Sequence, residues 1–325
     1  MTTAIRLESP HLTVELDPDR GGEFRSIIAS DSDNLLAWHE WDTPLSADRG
    51  PSYGSTQRDW ESRYKAGWQV LFPNVGAEAT VDGVPLAFHG ESSLARLAVL
   101  AHSTDACTLR ATARLPLELV RTVRLSPNRP ALLIEETVTN VGAKSVPFIW
   151  GHHPTFPAVP GSKVDLPGRP AVQVEPTSNG LLAAGSGQWP LLNRTDGGLE
   201  DLSTIPDEIQ VRLAYVTGLN QGWVALRPPT GPGIALAWDL ETFPSMWMWL
   251  QNADPGFPWY GRARMLGLEP QRSWPFDGLN GARQRGQELT LEPGESTSSW
   301  ITLSVLAHTH HPVTSVERNG RITTE

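Results

Sequence analysis

The feature that most constrains this chain is a run of short strand-like segments in its middle third. Residues 97–101, 107–115, 119–125, 131–139 and 146–150 all read as strands, and 102–106, 126–130 and 140–145 carry the turn residues between them. Gaps this short leave no room for crossover helices, so neighbouring strands must run antiparallel. Further strands are expected on either side. His11-Leu12-Thr13-Val14-Glu15-Leu16 alternates in character, Asp17-Pro18-Asp19-Arg20-Gly21-Gly22 turns the chain, and Phe24-Arg25-Ser26-Ile27-Ile28 starts a second strand. Later strands fall at 211–216, 222–227, 234–239, 245–250, 264–269 and 298–305, the last preceded by the turn Glu292-Pro293-Gly294-Glu295. The expected fold class is all-β, a large antiparallel β-sandwich.

Helical signals are thin. Residues 55–65 allow a turn or two, ending near Gly67. Residues 157–207 are rich in Gly and Pro and read as a long loop insertion between sheets, the kind of segment that often carries function. Residues 307–325 are polar and are expected to form a mobile tail. No repeat and no change of composition marks a linker, so a single domain over 1–325 is expected.

Charge narrows the partners. Lys plus Arg is 26 and Asp plus Glu is 36, a net charge of −10, which repels phosphate backbones and argues against nucleic acid. Met1-Thr2-Thr3-Ala4-Ile5-Arg6 lacks the apolar core of a secretory signal, and no apolar run reaches the ~20 residues of a spanning helix. A cytoplasmic protein without a membrane partner is the expectation, as monomer or homodimer. Cys107 is the one cysteine, so no internal disulfide forms, and within a strand it reads as a small core residue. His308-Thr309-His310-His311 is a weak metal cue with no nearby Cys or acidic residue to complete a tetrahedral set. No Gly-rich phosphate loop is visible, and no cofactor is expected.

Thirteen tryptophans stand against four tyrosines. An indole offers a flat apolar face and one N–H donor, which suits the C–H face of a sugar ring. Most of these rings are expected to fill the core. Trp247 and Trp249 are different, because the strand Met246-Trp247-Met248-Trp249-Leu250-Gln251 places both on one face with Gln251.

Two histidine segments and one carboxylate suggest chemistry. His89 sits in Ala87-Phe88-His89-Gly90-Glu91, and His152 and His153 sit in Trp150-Gly151-His152-His153-Pro154-Thr155-Phe156. Glu269 ends an apolar strand in Met265-Leu266-Gly267-Leu268-Glu269-Pro270-Gln271. A carboxylate there is costly unless paired. The bland alternative is an ion pair with Arg262, Arg264 or Arg272. A glutamate and a histidine at one pocket suit paired proton transfer.

These segments make the chain resemble the aldose 1-epimerase, or galactose mutarotase-like, family. Arg20-Gly21-Gly22-Glu23-Phe24 is similar to its N-terminal Gly-Gly turn. Gly67-Trp68-Gln69-Val70-Leu71-Phe72-Pro73-Asn74 precedes a His-Gly pair, here His89-Gly90. His153-Pro154-Thr155-Phe156, Glu269-Pro270-Gln271 and Pro293-Gly294-Glu295 follow in order, so the resemblance spans 11–306. It implies a galactose mutarotase-like supersandwich with an open sugar cleft, and interconversion of the α- and β-anomers of a free aldose. It also implies Glu269 as base, His153 as acid, His89 as a second histidine on the ring or anomeric oxygen, and Asn74 as a polar cleft residue. The departures are Thr155 for the usual aromatic, no Asn-Leu after Phe156, Pro73 where galactose mutarotases carry arginine, and Glu91-Ser92 after His-Gly. They mark a divergent member with a different aldose or a modified sugar as substrate.

Three other functions are weighed. A hexose-phosphate mutarotase needs a cationic pocket, for which Arg63, Lys65, Arg262, Arg264 and Arg272 are candidates. A non-catalytic sugar-binding protein needs only the tryptophans. A lyase or glycosidase needs a second carboxylate in register with Glu269, for which Glu91 and Asp239 are candidates.

Overall fold

The computed structural model describes residues 4–30, 32–40, 52, 54–175, 181–307 and 310–325. Two large sheets dominate, one of twelve strands and one of eight, and their strand pairs are antiparallel. The eight-stranded sheet carries the middle-third strands as Ala98–His102, Ala106–Thr112, Leu117–Leu125 and Ala131–Asn140. In Leu117–Leu125 every second residue is buried, so one face meets the core and the other meets solvent. One hydrophobic core joins the sheets, with Leu119, Val123, Ile134 and Leu303 facing Phe24, Trp68, Val70, Phe156 and Leu268.

The centre of the twelve-stranded sheet builds the site. Its order there is Trp68–Leu71, Gly151–Pro157, Arg264–Gln271, Ser245–Asn252 and Gln210–Thr217. The first four of these strands are buried on both faces: one face lies on the core, and loops and a helix cover part of the other. The helix is Thr56–Arg63, within the window the sequence allowed, with Ser55 capping its first turn by accepting from the Arg58 amide.

Alternation decides which histidine reaches which side. His152 points into the core, where Trp68 Nε1 donates to its Nδ1 at 3.2 Å and its Nε2 donates to Glu136 Oε2 at 3.0 Å. Arg121 Nε pairs with the other oxygen of Glu136 at 3.1 Å. This buried set links the two sheets, and its charges tolerate burial because they are paired. The next residue, His153, therefore faces the opposite side of the sheet.

Three expectations differ from the structure. The described residues of 157–207 are not a loose insertion. Lys163–Asp165 joins the smaller sheet, and Ala171–Val174, Ser186–Gln188, Leu191–Asn193 and Leu199–Asp201 extend the larger one. Such strands are three or four residues long, too short for alternation to show. The tail expected to be mobile forms a hairpin, Val313–Val316 with Ile322–Thr324, because Val313 and Val316 bury against Trp223 and Ala235. Gly278–Gln284 is a second, unforeseen helix. Among the described residues no helix is long and apolar enough to cross a membrane.

Candidate active site

One pocket brings together His89, His153, Trp247, Trp249 and Glu269, with Trp60, Glu61, Phe88, Leu213, Trp259 and Phe276 completing its described walls. It encloses about 460 Å³ of empty space, part of it open to solvent.

At its base, His153 Nε2 lies 3.4 Å from Glu269 Oε1. The two side chains meet because their strands are adjacent in the sheet and both residues face the same side. Gln271, two residues after Glu269, donates to Glu269 Oε2 at 3.4 Å and to the His152 carbonyl at 3.0 Å. Both members of the pair are almost wholly buried. Burial disfavours charge, so it drives the Glu269 carboxyl well above the ordinary carboxylate range and His153 down to about 3. The two shifts favour placing a proton shared by the pair on Glu269 rather than on His153. This differs from the expectation that His153 holds it near neutral pH, and the reason is the burial of the ring.

His89 takes a left-handed backbone, φ 58°, at the end of a loop zipped to the segment after Trp68–Leu71. Its amide donates to the Gly76 carbonyl at 2.9 Å, and the Gly76 amide donates to His89 Nδ1 at 3.0 Å. A Cβ at Gly90 would overlap the Phe72 carbonyl, which explains the glycine beside the histidine. Burial, with His153 nearby, holds His89 well below its ordinary pKa. A neutral ring whose Nδ1 accepts must carry its proton on Nε2, so His89 offers the pocket an N–H donor.

The indoles are fixed in place. Trp247 Nε1 donates to the Ser273 carbonyl at 2.8 Å, and Trp249 stands 5.5 Å from Trp259 and 5.7 Å from His153 between ring centres. Gln251 does not line the pocket; its Oε1 accepts from the Asp254 amide at 3.1 Å and so braces the loop that delivers Trp259.

The amino-acid pattern matches a single family profile over residues 2–305, that of a domain of unknown function, DUF4432. The chain belongs to the DUF4432 family. No curated protein matches its sequence. Among solved structures, this DUF4432 protein is similar to the Slr1438 protein of Synechocystis sp., with 19% identity, a TM-score of 0.68, and coverage of 95% of this chain and 97% of that one. An Escherichia coli K12 protein provisionally described as an aldose 1-epimerase shares 21% identity at a TM-score of 0.65, covering 94% of this chain and 99% of its own. A galactose mutarotase related enzyme from Lactobacillus acidophilus shares 17% identity at a TM-score of 0.64, covering 95% and 99%. These likenesses establish the galactose mutarotase-like sandwich fold.

One expected site residue of the DUF4432 protein lies elsewhere. Asn74 does not line the pocket. Its Nδ2 donates to the carbonyls of Ala77 and Ala87 at 2.8 and 2.9 Å, and its Oδ1 accepts from the Leu279 amide at 2.8 Å. Both its donors and its oxygen are engaged by backbone groups, so it braces the loop that carries His89. None of the phosphate candidates is among the described residues that line the pocket. Lys65 Nζ lies 3.8 Å from Glu40, Arg264 donates to Asn252, Arg262 to the Trp259 carbonyl, Arg272 to the Gln287 and Glu241 carbonyls, and Arg63 is not among the lining residues. Glu91 pairs with Arg114, and Asp239 accepts from Thr242. Among the described residues no group of three His, Cys, Asp or Glu side chains is placed to hold a metal ion. Of the histidine run near the C-terminus, His308 lies outside the described residues.

Sequence reasoning missed Trp60, Glu61 and Trp259. The helix bears Trp60 and Glu61 next to each other, and no spacing rule says which helical face will cover a sheet. Glu61 is a second carboxylate at the pocket, held by Gln57 at 2.8 Å and raised in pKa by burial.

Proposed function

We propose that this DUF4432 protein is an aldose 1-epimerase that interconverts the anomers of an unphosphorylated aldose. The observation that carries this reading is the 3.4 Å pairing of His153 Nε2 with Glu269 Oε1 at the base of a pocket walled by indoles. Ring opening needs one group to take the proton from the anomeric hydroxyl and another to give one to the ring oxygen. An acid–base pair holding one exchangeable proton supplies both. Sugar hydroxyls entering the pocket restore the polar surroundings that ionisation needs. Passing the resting proton from Glu269 to His153 Nε2 then creates a carboxylate base and an imidazolium acid.

Glu269 takes the O1 proton, the bond from C1 to the ring oxygen breaks, and His153 protonates that oxygen. The result is an open aldehyde. Rotation about C1–C2 presents the other carbonyl face, and closure reverses both transfers. His89 Nε2–H donates to the oxygen on which negative charge develops. Trp247 and Trp249 cover the C–H face of the ring. The pocket favours an uncharged sugar, because no Lys or Arg is among its described lining residues.

The test is polarimetry on freshly dissolved α-D-glucose, α-D-galactose and a panel of other aldoses, against the spontaneous rate in buffer. Accelerated mutarotation of at least one aldose is expected. Glu269→Gln and His153→Asn should each lower that acceleration ~10²–10⁴-fold. No acceleration across the panel, or full activity in both variants, refutes the reading.

A further inference from the structure

The second ring nitrogen of His153 sits in an unusual setting. Its Nδ1 lies 3.1 Å from Tyr64 Oη and 3.3 Å from Thr155 Oγ1, and those two hydroxyls hydrogen-bond to each other. Tyr64, directly after the helix, is 1% exposed, and Thr155 is fully buried. The Tyr64 ring stacks on Trp60 at 4.6 Å and meets the His153 ring edge-on at 5.1 Å, so its hydroxyl is held where it is.

Burial raises the Tyr64 phenol well above its ordinary pKa, so it keeps its one proton and donates to one neighbour at a time. Two arrangements link the ring to the hydroxyl pair through Tyr64, the nearer of the two hydroxyls. In the first, His153 Nδ1–H donates to Tyr64 Oη, and Tyr64 donates to Thr155. In the second, Thr155 donates to Tyr64, and Tyr64 donates to a bare Nδ1. The first leaves a lone pair on Nε2, facing Glu269. The second puts a proton there, so Nε2 has no room for the one that Glu269 must deliver. After His153 protonates the ring oxygen, it must again be a neutral ring with its hydrogen on Nδ1, which requires an acceptor at that nitrogen.

On the footing of the epimerase reading, we propose that Tyr64 is a positioning residue which, with Thr155, holds His153 as the Nδ1–H tautomer and keeps Nε2 open for the proton exchanged with Glu269. This gives Thr155 a role at a position where the family resemblance leads one to expect an aromatic ring. A phenol reaching in from the helix supplies the aromatic surface, and the threonine supplies the second hydroxyl.

The test combines ¹⁵N NMR of histidine-labelled protein with kinetics, the His153 signals being assigned by their loss in His153→Asn. In the native protein Nδ1 should carry the hydrogen and Nε2 should not. Tyr64→Phe should convert this to a mixture or to the opposite tautomer. It should also lower kcat roughly tenfold with KM unchanged, the size of one net hydrogen bond. Thr155→Val should do the same, should the tyrosine variant fold poorly, while Thr155→Ser should preserve both readouts. A native ring protonated on Nε2 at neutral pH overturns the proposal, and so does a tautomer unchanged in both Tyr64→Phe and Thr155→Val. Absence of mutarotation in the native protein refutes the epimerase reading instead, and leaves the tautomer measurement to decide where the proton sits.

Discussion

Substituting Gly267 by alanine perturbs the acid–base pair without altering either member. Gly267 lies between Thr155 and Trp249 on the neighbouring strands and two residues before Glu269, so both face the same side. A Cβ there would stand 3.2 Å from Glu269 Cδ, 3.3 Å from its Cγ, and closer still to Oε1. The backbone at Gly267 is outside the left-handed region, so alanine is allowed locally. The obstructed atoms end a flexible side chain, so the carboxyl must swing away while the strand stays in place. Restoring an ordinary contact moves Oε1 by roughly 1 Å, and a displacement of that size can cost ~10²-fold in rate. The separation from His153 is already 3.4 Å, at the long end of a hydrogen bond, so little reserve exists. Overpacking should cost ~1–3 kcal/mol of stability, which a domain of this size survives at 25 °C. The assay is polarimetry on an aldose the native protein turns over, with a thermal melt beside it. The expected outcome is a folded variant with ~10²-fold less acceleration. Activity within about threefold of native, in a folded Gly267→Ala protein, would show that catalysis does not depend on where this carboxyl sits.

Two further outcomes follow from the same geometry. Unfolded, Glu269 and His153 titrate near 4.5 and 6.5; folded, burial raises the first well above its value and lowers the second to about 3. His153 alone would lose stability as pH falls from 6.5 towards 3, because only the unfolded chain takes up its proton. Glu269 alone would gain stability as pH falls towards 4.5. In the part of the 4.5–6.5 window that lies below the raised Glu269 value, folding merely moves one proton from His153 to Glu269, so the two slopes cancel. Glu269→Gln removes one side of that balance and should steepen the loss of stability on acidification by ~1.4 kcal/mol per pH unit in this window. Urea denaturation at several pH values checks this, and an unchanged slope would contradict the proton placement. Asn74→Ala should lower stability by roughly 1–3 kcal/mol for each backbone group that finds no water, with kcat and KM falling only as the His89 loop loosens. A stable variant with a selectively raised KM would instead make Asn74 a sugar ligand.

The legibility of this protein follows from the range of each interaction. Glu269 and His153 stand out in the sequence because each interrupts an apolar strand, and burial of a titratable group is costly enough to need a reason. Asn74 stands out only through the family resemblance, and its partners are three backbone groups that no residue pattern displays. Tyr64 looks like any helix-terminal aromatic until the strand carrying His153 is laid beside it. The cationic candidates for a phosphate site share neither face nor loop once the sheet is assembled.

By itself the sequence determined an antiparallel all-β sandwich, because period-two burial and short turns are local and leave few topologies. It also determined that His152 and His153, as consecutive strand residues, point to opposite sides, since alternation fixes direction residue by residue. Only the tertiary structure decided that His89, His153 and Glu269 share one pocket and that a short helix closes its wall. It alone decided that burial raises the carboxyl and lowers the imidazole. Those outcomes depend on strand neighbours dozens to hundreds of residues apart and on exclusion of water from the space between them, and neither is a property of any stretch of chain.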